Sequence, residues 1–394
     1  MGRILLAWEL GDGLGHVMRL LPLAKRLRES GHECIFAVRN VPISHGVIQR
    51  EGFVVLQAPM LIPHAPEDVR NKPIATYGDI LATIGYDDVD RLLAMVDAWQ
   101  GLIDVIKPDM VVGDYAPTVG LTTYKTFPTV MLGDGFTLPP PTMAKFPEFR
   151  KSGARVPEER LLATVQETQR RRSRPLPPTM PSILGGNEAF IITLPELDFY
   201  RGERQKQAVG PLTPLPPPAA TRPEVDYFCY LSMTFAHTQK FLDGLAASRR
   251  TGSCYLRDSD KVQIARLRDM GLTIHDRPPP MAEVGAKAAV IIHHGGLGTT
   301  ETAMALGRPQ ILVPRHGEQT MNAHTLGRMG IAAQMRTGGQ FESAHVTQAL
   351  NGVIGTSSYL ERAAARAQAI AKRGPTRALD VISGFCAELV AGRG

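Results

Sequence analysis

Residues 288–333 constrain the fold of this chain more than any other stretch. A short apolar run at 288–292 (AAVII) leads into the glycine-rich turn HHGGLGTT at 293–300, and a helical segment is predicted over 299–306. A tight turn from a buried strand into a helix leaves backbone N–H groups pointing at one place, at the positive end of the helix. The sequence therefore predicts a strand–turn–helix unit that binds a phosphate or a diphosphate.

The residue types within the turn support this prediction. Gly296 and Gly298 allow the backbone to approach an anion closely, and Thr299 adds a further donor. The imidazole of His294 can neutralise phosphate charge, whereas His293 is expected to point into the sheet, because neighbouring strand residues face opposite sides.

A second strand, predicted over 310–313, delivers the loop PRHGEQ at 314–319 to the same edge of a parallel sheet. Ligands of open α/β sheets bind beyond the carboxyl ends of the strands. The carboxylate of Glu318 and the amide of Gln319 offer acceptors and donors, which suit a polyol.

The N-terminal part follows the same plan, with a predicted strand at 4–8, the loop ELGDGLGH at 9–16 and a helix over 17–29. The loop is close to a dinucleotide fingerprint, but His16 replaces its third glycine. Arg39, not an acid that would hold a ribose, stands at the end of the second strand. An oxidoreductase is therefore disfavoured.

His16 is a candidate general base, because an imidazole can accept a proton near neutral pH. Such a base needs a carboxylate on its other nitrogen, and Asp114 follows the buried strand predicted over 110–113. The alternatives are a histidine bonded to backbone at a helix start and an aspartate that caps a loop. Asp134 is the substitute orienting group, although a turn aspartate explains it more simply.

Length and composition indicate a soluble protein with two domains. The chain has 394 residues, 43% hydrophobic and 21% charged, and lacks the 18-residue apolar run of a membrane span. Four cysteines without metal spacing and an opening that leads directly into a strand predict a cytoplasmic protein. The net charge of +6 is mild, and the basic run at 170–174 has no interleaved aromatics, which argues against nucleic acid.

A proline-rich stretch divides the chain. Six prolines between 209 and 223 exclude a helix or a central strand and predict a connector at 209–224. The N-terminal domain then spans 1–208 and the C-terminal domain 225–394, each with alternating strands and helices. Further strands are predicted at 34–38, 53–57, 129–132, 190–193, 227–231, 254–257 and 273–275.

The motif HHGGxGTT, followed by GxPxxxxP at 307–314 and EQxxNA at 318–323, is similar to the donor-binding signature of GT-B glycosyltransferases. This family includes the glycopeptide-antibiotic, macrolide and plant or animal UDP-sugar transferases, and the resemblance is densest over 275–333. It implies an α/β protein with two Rossmann-like domains facing a cleft. It also implies that the apolar stretch 360–390 forms helices, the last of which crosses back to the N-terminal domain.

The resemblance also implies roles for particular residues. His16 corresponds to the base that deprotonates the acceptor hydroxyl, and Asp114 to its partner. Glu318 and Gln319 stand where the family holds the donor sugar. The remaining donor-binding candidates are Gly13, Ser232, Arg277, His294, Gly296, Gly298 and Thr299.

Two departures leave the nucleotide open between UDP and dTDP. Thr302 occupies the position of the glutamate that grips the ribose in UDP-glucose enzymes, and Arg277 lies where those enzymes have a tryptophan that stacks on uracil. Antibiotic-type relatives often carry aspartate in place of His16, so the acceptor class stays open as well.

The implied activity is inverting transfer of a sugar from a nucleotide diphosphate sugar to a hydroxyl of a small-molecule or lipid-like acceptor. The positive helix end would stabilise the leaving diphosphate, so no metal or other cofactor is expected. A monomer or homodimer, and peripheral membrane contact, remain open. The alternatives are a sugar-nucleotide 2-epimerase, which the excursion at 137–182 disfavours, and a non-catalytic partner protein.

Overall fold

A computed structural model describes residues 1–62, 72–220, 222–336 and 341–392. The chain divides into two compact units, one formed by Met1–Thr213 with Thr376–Gly394 and the other by Pro214–Pro375. The division falls within the stretch predicted as a connector. The C-terminal segment groups with the N-terminal unit, the return that the resemblance implied for the last helix.

Within the described residues, the N-terminal unit holds a six-stranded parallel sheet in the order β3-β2-β1-β4-β5-β6. The strands are β1 (Arg3–Trp8), β2 (Glu33–Val38), β3 (Val54–Gln57), β4 (Met110–Asp114), β5 (Thr129–Gly133) and β6 (Glu188–Ile191).

The strand β6 begins two residues before its predicted start and ends two residues earlier. Glu188 and Ala189 pair with Val130 and Met131 of β5, which extends the ladder backwards. The side chain of Asn187 accepts the N–H of Thr129 at 2.8 Å and so closes that end of the sheet. This side-chain contact has no signal in the hydrophobic pattern.

Helices cover this sheet. They are α1 (Gly15–Glu29), α2 (Val41–Arg50), α3 (Tyr77–Leu81), α4 (Val89–Ile106), α5 (Pro117–Thr122) and α6 (Glu158–Arg171), and in this unit the chain ends with α14 (Ala378–Ala391). The last helix places Ala378, Ile382 and Cys386 in the same apolar core as Leu20 and Leu27 of α1. That burial explains why the C-terminal segment belongs to this unit.

The excursion at 137–182 is a packed layer. Leu161 and Val165 of α6 lie in one buried cluster with Tyr77 and Leu81 of α3. The fully buried carboxylate of Asp79 accepts backbone N–H groups on both sides of this contact, from Ala75, Thr76, Arg155 and Val156. One carboxylate thus joins two segments that lie about 80 residues apart.

The C-terminal unit repeats the architecture, with the described strands in the order β12-β11-β10-β7-β8-β9. They are β7 (Val225–Ser232), β8 (Gly252–Arg257), β9 (Thr273–Ile274), β10 (Ala288–His293), β11 (Gln310–Leu312) and β12 (Ala332–Gln334). The helices are α7 (Thr238–Ser248), α8 (Lys261–Asp269), α9 (Met281–Lys287), α10 (Leu297–Leu306), α11 (Gly317–Arg328), α12 (Ser343–Gly355) and α13 (Ser357–Lys372).

Both sheets have the doubly wound order in which the first strand of the unit lies beside the fourth. Ligands of such sheets bind where the winding reverses, at the carboxyl ends of those two strands. This point lies between β1 and β4 in the first unit and between β7 and β10 in the second. The predicted α/β class with two Rossmann-like domains is confirmed. Among the helices of the described ranges, none combines the length and apolar character needed to span a bilayer.

Candidate functional site

In the N-terminal unit, the winding reversal brings His16 and Asp114 together. Trp8, the last residue of β1, lies in register with Asp114, the last residue of β4. The loop after β1 turns into α1, of which His16 is the second residue. The predicted pair therefore converges because both residues follow neighbouring parallel strands.

The contact between them is direct. Nδ1 of His16 lies 3.1 Å from Oδ2 of Asp114, and both side chains are buried, with 7% of His16 and none of Asp114 exposed. A carboxylate can only accept, so the bond to Asp114 forms in the tautomer that has the proton on Nδ1 and the lone pair on Nε2. That is the arrangement of a general base and its orienting group.

Two neighbours fix the plane of the imidazole. The indole of Trp8 stacks on it, with ring centroids 5.3 Å apart and planes 18° from parallel. Gly11 lies beside Nε2 of the ring. A Cβ at residue 11 would stand 2.4 Å from Nε2, and the φ of +91° there also favours glycine. The space beside Nε2 exists because residue 11 has no side chain.

A second acidic group and a guanidinium extend this cluster. Arg19 donates to Oδ2 of Asp134 at 2.9 Å, and its other terminal nitrogen lies 3.4 Å from Oδ1 of Asp114 and 2.7 Å from Nδ1 of His16. The sequence interpretation did not include Arg19. Its position three residues after His16, on the same helix face, was the available signal.

Asp134 is primarily a turn aspartate, as the simpler interpretation of the sequence held. Its Oδ1 accepts the N–H groups of Phe136 and Thr137 at 2.9 and 2.8 Å. Burial raises the pKa of this carboxyl, but Arg19 and the two backbone donors together hold the pKa below its ordinary value. Asp134 does not contact the ring of His16 in any described hydrogen bond.

Glu9 supports the loop that carries Asp114. Its buried carboxylate accepts the N–H of Thr118 at 2.8 Å, at the start of α5, and the N–H of Leu10 donates to the carbonyl of Tyr115 at 3.0 Å. Burial raises the pKa of Glu9 to about 7, against the opposing effect of Thr118. The start of the loop after β1 is thus tied to the segment that follows Asp114.

In the C-terminal unit, His294 bridges the two strands at the winding reversal. Its Nε2 accepts the backbone N–H of Ser232 at 2.9 Å, at the end of β7. Its Nδ1 lies 2.8 Å from the carbonyl oxygen of Val313, which only accepts. The ring therefore carries its proton on Nδ1 and is neutral, with both nitrogens paired to backbone.

The neighbouring His293 is also neutral and points into the unit, as predicted. It is 1% exposed, accepts the N–H of Gly295 at 3.0 Å and pairs with Gln310 at 2.8 Å. Burial lowers the pKa of both His293 and His294 to about 4. Both ring nitrogens of His294 bond to backbone in this structure, and the expected neutralisation of phosphate charge by its imidazole stays a prediction.

These rings give the C-terminal unit a specific sensitivity to acid. A histidine whose pKa is lower in the folded state contributes stability that is present above pH 6.5 and lost as the pH falls from about 6.5 to 4. For His293 the expected loss at pH 5 is about 2 kcal/mol in the free energy of unfolding. Glu9 acts in the opposite direction in the N-terminal unit, because its raised pKa favours the folded state as the pH falls below about 7.

Both tryptophans, Trp8 and Trp99, lie in the N-terminal unit, so their fluorescence follows that unit alone. Circular dichroism also reports the unfolding of the C-terminal unit, which contains no tryptophan. In urea, we expect the midpoint of that transition to be lower at pH 5 than at pH 7.5. The urea midpoint followed by tryptophan fluorescence should be the same or higher at pH 5. Equal losses in both transitions would contradict this assignment of the titrating groups.

The helix after β10 begins two residues earlier than predicted, at Leu297, with Gly296 as its N-terminal cap. Gly298 and Thr299 are therefore the second and third helical residues, whose N–H groups lack intrahelical acceptors. Thr300 bonds back to the carbonyl of Gly296 at 2.9 Å and so does not cap the helix. The first turn of α10 presents free backbone donors at the carboxyl edge of the sheet.

The loop after β11 lies against the glycine turn. Gly295 has a φ of +92°, and a Cβ there would stand 3.1 Å from the carbonyl oxygen of Gln319. The side chain of Asn322 donates to the carbonyl of Gly295 at 3.0 Å, and Gln319 accepts the N–H of Arg315 at 2.8 Å. Glu318 is the second residue of α11, beside Gln319. The two predicted sugar-binding residues thus share one helix start.

A polar cluster surrounds Ser232. Its hydroxyl donates to Asp258 at 2.6 Å and lies 2.8 Å from the hydroxyl of Thr234. Arg315 reaches Thr234 at 3.3 Å, and Arg257 reaches Asp258 at 3.2 Å. The hydroxyl of Ser232 therefore already donates to a carboxylate, and the positive charges beside His294 are these two arginines, which the sequence interpretation missed.

The last two donor candidates stand apart from this cluster. Arg277 is exposed and follows β9, at the far side of the same sheet edge. Gly13 belongs to the N-terminal unit, and its N–H donates to the side chain of Asp12 at 2.7 Å. The role of Gly13 as a donor-binding residue stays a prediction, and in this conformation its neighbour accepts its N–H.

Comparison with known proteins agrees with this geometry. Residues 271–383 match the family model of the erythromycin biosynthesis protein CIII-like C-terminal domain. The L-demethylnoviosyl transferase of Streptomyces niveus is 23% identical over 329 residues, which cover 81% of each chain.

Two solved structures are similar over almost the whole length. The calicheamicin glycosyltransferase CalG4 superposes with a TM-score of 0.71 at 20% identity, with 98% of each chain covered. The spinosyn rhamnosyltransferase SpnG, complexed with thymidine diphosphate, gives a TM-score of 0.68 at 15% identity, with 97% of this chain and 99% of SpnG covered.

These similarities show that the chain has the GT-B fold, and its relatives and structural neighbours are glycosyltransferases. Residues 271–383 match the EryCIII-like C-terminal domain, and the relatives include glycosyltransferases of antibiotic biosynthesis. Both the fold and the enzyme class predicted from the sequence are confirmed.

Proposed function

We propose that this enzyme is an inverting, metal-independent glycosyltransferase that moves a sugar from a dTDP-sugar to a hydroxyl of an apolar small-molecule or lipid-like acceptor. The observation that carries the proposal is the buried pair of His16 and Asp114, with Nε2 of the ring left for a substrate proton. UDP-sugars are the second choice of donor.

In the proposed reaction, Nε2 of His16 takes the proton of the acceptor hydroxyl as its oxygen attacks the anomeric carbon. The bond between that carbon and the diphosphate oxygen breaks, and its electron pair stays on the diphosphate. Asp114 stabilises the imidazolium that forms. One displacement of this kind inverts the anomeric configuration, which the proton coupling constant of the product reports.

In the proposed reaction, two features of the C-terminal unit stabilise the leaving diphosphate. The N–H groups at the start of α10 point along the helix dipole, and Arg257 and Arg315 supply positive charge beside His294. His294 contributes by bridging Ser232 to Val313, which holds the turn in place. This donor set needs no divalent ion, and turnover in EDTA should match turnover in Mg²⁺.

Exposed apolar side chains favour an apolar acceptor. Met18 in the first turn of α1 is 50% exposed, Ile43 in the first turn of α2 is 40% exposed, and Ile62 after β3 is 84% exposed. All three follow the carboxyl ends of parallel strands of the sheet that bears His16. Apolar surface at the sheet edge that carries the base suits a hydrophobic acceptor that carries a hydroxyl.

The choice of dTDP rests on the ribose position. Thr302 stands where UDP-glucose enzymes carry a ribose-gripping glutamate, and its hydroxyl donates to the carbonyl of Gly298 at 2.8 Å. A deoxyribose has one hydroxyl fewer to be held. The similar structure of SpnG contains thymidine diphosphate, which supports the same choice.

We expect dTDP to raise the melting temperature more than UDP at equal concentration, because a ligand stabilises the folded state by mass action. The Thr302→Glu variant should narrow or reverse this difference, with about a tenfold change in relative affinity, since a carboxylate can accept from both ribose hydroxyls. The Thr347→Glu variant, on a helix away from the turn, is the matched control. Equal shifts with both nucleotides in the unchanged enzyme would contradict the donor assignment.

Product analysis tests the activity itself. Incubating the enzyme with dTDP-glucose and a panel of aromatic alcohols should release dTDP only when an acceptor is present. Isomerisation of dTDP-glucose without acceptor would instead support an epimerase.

A further inference from the structure

We propose that Arg19 is a positioning residue of this glycosyltransferase, which ties the orienting carboxylate Asp114 to Asp134 and thereby holds His16 in its working geometry. This inference rests on the proposed function, because it gives Arg19 a role only if His16 is the base. None of the motifs that identify the donor site involves Arg19.

Both acidic groups that Arg19 contacts are buried. The side chain of Asp114 is 0% exposed and that of Asp134 is 4% exposed, while that of Arg19 is 17% exposed. Burial removes the hydration of both carboxyl groups, so each needs a hydrogen-bonding or cationic partner inside the protein. Arg19 lies within 2.9 Å of one carboxylate and 3.4 Å of the other.

The guanidinium of Arg19 joins two separate segments of the chain. Its two terminal nitrogens address different carboxylates, one on the strand end of β4 and one on the turn after β5. A planar fork can fix two groups at once, whereas a lysine ammonium is a single point charge on a flexible stem. Arg19 therefore ties Asp114 and Asp134 to one guanidinium and so fixes their positions relative to each other.

Arg19 also contacts the imidazole of His16. A guanidinium nitrogen lies 2.7 Å from Nδ1 of His16, and Oδ2 of Asp114 lies 3.1 Å from the same atom. A guanidinium only donates and a carboxylate only accepts, so Nδ1 can bond to one of them at a time. The base needs the proton on Nδ1 and the bond to Asp114, so Arg19 supports it through its ties to the two carboxylates and not by donating to Nδ1.

A double-mutant cycle with His16 tests this role. Arg19→Met should lower turnover with dTDP-glucose and an aromatic alcohol about 10²-fold, because a small displacement of a catalytic group has effects of this size. In the His16→Ala background the same exchange should have little further effect, since residues that act as a unit are not additive. A purely structural role would multiply the two losses.

Conservative and matched variants complete the design. Arg19→Lys should recover part of the loss but not all of it. Arg26→Met is the control, because Arg26 lies on the same helix and forms an exposed ion pair with Asp380 at 2.7 Å. The control should leave turnover within about twofold, since such pairs contribute little.

A second measurement keeps the test independent of turnover and of stability loss. Histidine ring nitrogens labelled with ¹⁵N report the tautomer, and the signals of His16 are identified by their loss in His16→Gln. Arg19→Met and Arg19→Lys should shift the His16 signals, while those of the exposed His45 and the Arg26→Met spectrum stay unchanged.

The outcomes separate the two proposals. A loss with His16→Ala but none with Arg19→Met, together with unchanged His16 signals, would overturn the role of Arg19 and leave the proposed function intact. The role of Arg19 would also be overturned if the loss of turnover in the double variant equalled the product of the losses in Arg19→Met and His16→Ala. If His16→Ala itself had no effect, the proposed base and the inference would both fail.

Discussion

His16→Ala is expected to lower turnover by about 10²–10⁴, the usual contribution of a positioned general base, while nucleotide binding survives. The loss should appear in kcat and in kcat/KM alike, because proton transfer occurs in the transition state. Donor binding should persist because His294, Arg257 and Arg315 belong to the other unit. Thermal shift with dTDP measures that binding, and acceptor-dependent release of dTDP measures turnover.

The matched control is His32→Ala. His32 is 8% exposed against 7% for His16, so both exchanges remove a buried ring from the same unit. His32 follows α1 at the opposite edge of the sheet, just before β2 begins. Equal turnover in the His16→Ala variant and the unchanged enzyme would remove His16 from the mechanism. Equal losses in both histidine variants would point to stability as the cause.

The sequence was sufficient to predict the fold and the convergence of His16 with Asp114. Apolar strand runs that alternate with helices predict a doubly wound sheet, and its order places the ends of β1 and β4 side by side. Asp114 ends β4 and His16 stands at the start of the helix after β1, so the topology brings both residues to the same edge of the sheet. For this reason a pattern of strands and turns was enough to bring the two residues together.

Side-chain pairing was less accessible to sequence reasoning. His294 was expected to face phosphate, but the N–H of Ser232 and the carbonyl of Val313 occupy its two nitrogens. The hydroxyl of Ser232 likewise donates to Asp258, which lies on a loop 26 residues later. Such competition between acceptors depends on distances of tenths of an ångström, which residue spacing does not determine.

The cations near both sites were missed for a related reason. Arginine is common on helix surfaces, so Arg315 in a polar loop carries no distinctive pattern, and Arg19 has only its spacing of three residues from His16. Their meaning comes from what other strands deliver to the same edge: two carboxylates around Arg19, and the hydroxyl of Thr234 beside Arg315. Only the assembled sheet shows those partners.

Asp114→Asn is expected to lower turnover by about 10²–10⁴ with little change in nucleotide binding. The equivalent exchange in the serine-protease triad lowers kcat about 10⁴-fold, because the amide favours the wrong tautomer of the histidine. Here an asparagine could donate to Nδ1 of His16, as Arg19 already can at 2.7 Å. The ring proton would then stay on Nε2, where the acceptor proton has to go.

Asp134→Asn separates this tautomer effect from a general loss of charge. Asp134 is buried and pairs with the same arginine at 2.9 Å, but the described hydrogen bonds of its carboxylate go to Arg19 and to backbone N–H groups, not to the ring. Its exchange should therefore lower turnover about tenfold, through Arg19 alone. Equal losses in the two asparagine variants would show that the charge of the cluster, and not the proton position on His16, limits the reaction. The pH dependence of turnover and the ¹⁵N signals of His16, measured for both variants, distinguish these cases.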